Sequence, residues 1–76
     1  MVDEETRIAS LVEALRIIVE DNPGIYVKEA LVKTVRQEQT TLSEVRYALT
    51  YARRYNIVTV DSHTLKITIP TANTNN

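Results

Sequence analysis

The chain has no cysteine, no tryptophan and no phenylalanine among its 76 residues, and only one glycine, two prolines, one methionine and one histidine. Each shortage removes a class of explanation. Without cysteine there is no disulfide staple and no thiolate metal site, which suits an intracellular setting. With a single histidine and no thiol, no set of three or four convergent metal ligands comes together. One glycine excludes a glycine-rich loop that cradles phosphates. Neither a nucleophile beside a base nor a carboxylate pair in an apolar setting is visible, so an enzyme is not expected. No apolar run approaches the roughly 20 residues that cross a bilayer, and the acidic start MVDEE is unlike a signal peptide. The expected setting is cytoplasmic, with no cofactor, no metal, no membrane and no small-molecule ligand.

What is present is one small domain. A chain of this size buries only about 60% of the surface its unfolded form exposes. Stability must come from a single aliphatic core, with a partner subunit as a further source. The net charge of −1 hides a division. Residues 1–22 carry six carboxylates (Asp3, Glu4, Glu5, Glu13, Glu20, Asp21) against Arg7 and Arg16. Residues 28–54 carry six cations (Lys28, Lys33, Arg36, Arg46, Arg53, Arg54) against Glu29, Glu38 and Glu44. Such a split gives one face of a small fold a positive field, and phosphate contacts respond to the face more than to the total.

The hydrophobic pattern predicts three helices. From Glu4 to about Asp21, Ile8, Leu11, Val12, Leu15, Ile18 and Val19 recur at helical spacing. Asp3 and Thr6 are the candidate caps, and Asn22-Pro23-Gly24 is the stop. Ile25-Tyr26-Val27 is β-prone and short, able to pair only with a hairpin. A second helix is expected over Lys28–Gln37, with Ala30, Leu31, Thr34 and Val35 inward. After the polar linker Glu38-Gln39-Thr40, Thr41 and Glu44 form a T-x-x-E capping box. Helix three then runs from Leu42 to about Tyr55, burying Val45, Ala48, Leu49 and Ala52, with Asn56 as its left-handed stop. Ile57–Val60 and Leu65–Ile69 alternate as strands around the turn Asp61-Ser62-His63-Thr64. Val58, Val60, Leu65, Ile67 and Ile69 are expected to face inward. Pro70 ends the second strand, and residues 70–76 read as a disordered polar tail.

The order is helix, short β, helix, tight turn, helix, hairpin. With YVKEALVKTV, TLSEVRYALTYARRYNIV and VTVDSHTLKITI in those places, the chain resembles the winged helix-turn-helix superfamily of small transcription regulators across residues 6 to 69. The resemblance implies an α+β domain over 1–69 with three helices and a C-terminal β-hairpin wing. It also implies sequence-specific binding to double-stranded DNA, with helix 42–55 in the major groove. Carried onto this chain, Leu42, Ser43, Arg46, Tyr47 and Thr50 would meet base edges, and Arg46 would bridge O6 and N7 of guanine. Arg53 and Arg54, with Lys28, Lys33 and Lys66, would meet phosphates, which position the protein without reading sequence. Two departures are visible: the turn QEQTT lacks the glycine frequent in such turns, and the wing tip DSHT lacks a cation.

Other residues carry weaker signals. Tyr26 and Tyr55, at element ends, are expected to pack at the core edge. Tyr47 and Tyr51, one turn apart, either stack on sugar, contact a partner subunit, or in the case of Tyr51 shield the core. His63 reads as an exposed turn residue. Ala14 and Ile17 on the first helix mark the candidate surface of a homodimer. The acidic first helix, the weakly charged wing and the near-neutral total also fit a second reading, in which the same fold docks onto another protein.

Overall fold

The computed structural model describes residues 4–70. Helix α1 spans Glu4–Asp21, α2 Val27–Glu38 and α3 Leu42–Arg54, followed by two short strands, β1 (Thr59–Val60) and β2 (Ile67–Thr68). The fold is thus a small α+β domain of three helices and an antiparallel hairpin. Asp3, a candidate cap, and residues 71–76 of the expected tail lie outside the described residues. Thr6 is the third residue of α1.

The α1 stripe is buried as its spacing requires: Ile8, Leu11, Val12, Leu15, Ile18 and Val19 all lie in the core, and Leu15 is wholly enclosed. Ala14 is buried with them. The helix ends where the Asn22 side-chain amide donates to Ile18 O at 2.8 Å, and Gly24 turns the chain at a φ of 84°. Residue Ile25 then enters the core, and Tyr26 forms an isolated antiparallel bridge with Lys66. Two backbone bonds secure it, Val27 N to Leu65 O at 2.8 Å and Ile67 N to Ile25 O at 3.1 Å. The β-prone tripeptide therefore joins the hairpin through β2, on the side away from β1.

Helix α2 buries Ala30, Leu31 and Thr34, and the Thr34 hydroxyl donates to Ala30 O at 2.8 Å, so this enclosed polar group is satisfied. Its end needs a left-handed residue, and Gln39 supplies it at a φ of 51°. Three residues, 39–41, join α2 to α3, so the connection is tight without glycine.

At the start of α3 the Thr41 side chain accepts from Glu44 N at 3.2 Å. The reciprocal half of the expected capping box is absent. The Glu44 carboxylate instead accepts from the Thr40 hydroxyl and from Arg7 of α1, the latter at 2.6 Å. Val45, Ala48 and Ala52 are buried and Leu49 packs against the core at its edge. Asn56 takes the left-handed conformation at a φ of 59°, and Ile57 N returns to Ala52 O at 2.8 Å. The helix ends as its sequence predicts.

The hairpin departs further from expectation. Its paired strands are only Thr59–Val60 and Ile67–Thr68, in the register Thr59 with Thr68 and Val60 with Ile67. Val58 and Ile67 are buried, and Val60 and Ile69 are half-buried against the core. Leu65, expected inside, is 55% exposed and sits at a φ of 62°. The turn explains this. Leu65 N donates to Asp61 O, and Asp61 N to Lys66 O, so closing the loop places residue 65 in left-handed backbone and breaks the inward–outward alternation.

Candidate nucleic-acid interface

Three ridges run along the outward surface of α3. At 100° per residue, Arg46 and Arg53 lie nearly in line, roughly 10 Å apart along the axis. Ser43, Thr50 and Arg54 form a second line beside them, and Tyr47, Tyr51 and Tyr55 follow at intervals of four to form the third. All of these side chains are exposed. The Tyr51 and Tyr55 rings pack together with centroids 4.6 Å apart and a tilt of 43°.

Tyr26 and Tyr55 were expected to pack at the core edge, and neither does, at 51% and 59% exposed. The Tyr26 ring lies under the Lys66 ammonium, 5.6 Å from its centroid, in a cation–π contact. Thr50 is exposed, but its hydroxyl donates to Arg46 O at 3.1 Å, which leaves its oxygen only as an acceptor toward a ligand.

The ion pairs divide the molecule electrostatically. Among the described residues they join Arg16 to Glu13 at 2.6 Å, Arg16 to Glu20 at 3.3 Å, and Arg7 to Glu44. Both arginines of α1 are therefore engaged with carboxylates. The hydrogen bonds from Arg16 hold the Glu13 carboxyl below its usual range and raise the Arg16 guanidinium. By contrast Lys28, Lys33, Arg36, Arg46, Arg53 and Arg54 belong to none of these pairs. Glu44 is the single acidic residue of α3, and Arg7 compensates it. The outward surface of α3 keeps three cations and no uncompensated anion.

The predicted site residues are not all brought together. Ser43, Arg46, Tyr47, Thr50, Arg53 and Arg54 share α3, whereas Lys28, exposed at the start of α2, lines a groove with Lys33 that contains no α3 residue. Lys33 borders three surface depressions lined by α1, α2, the segment between them or the hairpin, and none of the three contains an α3 residue. It faces the end of α1 with Asp21 and Asn22, apart from the α3 arginines. Ser43 and Tyr47 share a shallow depression with Glu4 and Arg7, so the start of α3 adjoins the acidic start of α1. Of the two residues expected to form a dimer surface, Ala14 is buried and Ile17 is 40% exposed. Among the described residues no group of three or more His, Cys, Asp or Glu is placed to hold a metal ion, and no helix is long and apolar enough to cross a membrane.

Sequence reasoning missed Arg7. Its role depends on the start of α1 lying beside the start of α3, 37 residues along the chain. No local pattern signals that proximity. Neither a family model, nor a curated protein, nor a solved structure matches this chain.

Proposed function

We propose that the chain is a winged helix-turn-helix protein that binds double-stranded DNA and regulates transcription, with α3 as the helix that enters the major groove. The observation that carries this reading is the outward face of α3. Arg46, Arg53 and Arg54 are exposed there without carboxylate partners, and the one glutamate of the helix is held by Arg7. The element order supports it too, with a three-residue turn between α2 and α3 and a hairpin joined to the segment before α2. An α-helix with its side chains is about 10–12 Å across, which matches a major groove about 12 Å wide.

In this reading Arg46 reads a guanine edge, with Ser43 and Tyr47 beside it, while Arg53 and Arg54 meet phosphates. The wing tip is not a phosphate contact. The Asp61 carboxylate is there, accepting from His63 N and Thr64 N at 2.7 and 3.1 Å, and it would repel phosphate. The hairpin serves to cover the core with Val58 and Ile67.

Selection from a random duplex library tests the assignment. The parent chain should enrich a guanine-containing motif, and Arg46→Ala should lose preference at one position, worth about 1–3 kcal/mol. Enrichment of no motif by the parent would defeat sequence-specific recognition.

A further inference from the structure

A second surface lies apart from the outward face of α3. Between α2 and the hairpin is an open groove of about 580 Å³ whose floor includes Tyr26, Val32 and Leu65. These three are 51%, 40% and 55% exposed, and they bring together three of the eight large apolar residues left exposed among the described residues. Leu65 is there at a backbone cost. Its φ of 62° is a conformation that glycine adopts freely and a leucine does not, yet the chain keeps a leucine and turns it outward. The rim carries Lys28, Lys33 and Arg36 against Glu29. None of these cations is in an ion pair among the described residues.

We propose that this groove is a docking site for an acidic amphipathic segment of another protein. Its apolar side chains would cover Tyr26, Val32 and Leu65, and its carboxylates would meet Lys28, Lys33 and Arg36. Charge selects the occupant. Three cations around an apolar floor complement a segment that is apolar on one face and acidic at its flanks, the helix-in-groove mode of recognition. A phosphate backbone would satisfy the cations and leave the apolar floor uncovered. A second copy of this chain is a poorer fit, because the Glu13 and Glu20 carboxylates of its acidic α1 already accept from Arg16. The proposal rests on the groove and not on the α3 arginines.

The test uses the full chain with isotope-labelled methyl groups. It is titrated with a short synthetic helical peptide bearing leucines on one face and glutamates on the flanks, with the same peptide carrying lysines instead, and with a DNA duplex. The glutamate peptide should shift the Val32 and Leu65 methyl signals, and the lysine peptide should not. Leu65→Gly should weaken peptide binding by about tenfold while leaving the melting temperature no lower, since glycine suits the left-handed position. Val32→Gln, which removes apolar contact without adding charge, should weaken it as well. The proposal is overturned by equal binding of the two peptides, by no binding of either, by unchanged affinity in Leu65→Gly, or by a duplex shifting these methyls where the peptide does not.

Discussion

Gln39, Asn56 and Leu65 hold φ angles of 51°, 59° and 62°, in a chain with one glycine. A left-handed residue other than glycine costs roughly 1–2 kcal/mol, with asparagine the best tolerated. Of the three, Asn56 was readable in advance, because an asparagine after a helical stripe marks a left-handed stop. Gln39 and Leu65 carry no such signal, since the demand comes from the tight turn and from hairpin closure. Replacing Gln39 with glycine should therefore raise stability by about 0.5–1 kcal/mol, measured by thermal or urea denaturation. Asp61 offers a second residue-level test. The backbone N–H bonds from His63 and Thr64 hold its carboxyl below the ordinary value of 3.8. Because the folded value is depressed, its contribution is complete above about pH 4 and is lost as pH falls through the still lower folded value. NMR signals of the His63 and Thr64 amides should report loosening of the wing turn only below about pH 4. An unchanged turn in Asp61→Ala would remove the carboxylate from that role.

At the scale of elements, α1 and α3 were readable because each presents an apolar stripe and a chemical stop, whereas α2 was readable from its inward residues Ala30, Leu31 and Thr34 without a stop signal. The hairpin was only partly readable. Alternation predicted Leu65 inside, but the left-handed turn at that residue resets the pleat, and only Val58 and Ile67 are fully buried. The tyrosines failed for a related reason. Position at an element's end does not say which side a ring takes, and Tyr55 stacks outward on Tyr51 while Tyr26 takes the Lys66 ammonium. The capping box was half right. Thr41 accepts from Glu44 N, whereas the Glu44 side chain ties α3 to Thr40 and α1. Thr41→Ala should cost about 1 kcal/mol through the lost cap. Arg7→Ala should cost less than that, because its pair is exposed at the surface. Denaturation of both variants orders the two contributions, and a larger loss for Arg7→Ala would make the bridge between helices the dominant constraint.

For the whole molecule the decisive property is the sorting of charge. Sequence alone showed acid before residue 22 and base after residue 28, but not how the charges are paired. The fold lets Arg7 and Arg16 compensate carboxylates and leaves the α3 arginines uncompensated. It also moves Lys33 to the groove side of α2, which chain order could not reveal because it depends on how α2 is rotated against α1. Lys28 lines the same groove, so the proposed DNA function rests on α3. The most direct measurement is duplex affinity across a salt titration, for the parent chain and for the variant with Arg46, Arg53 and Arg54 all replaced by alanine. Each lost phosphate contact should flatten the slope of log K against log salt by about 0.9. The account predicts a variant with much weaker binding and a slope shallower by roughly 2 units. Equal affinity and equal slope in parent and variant would contradict it.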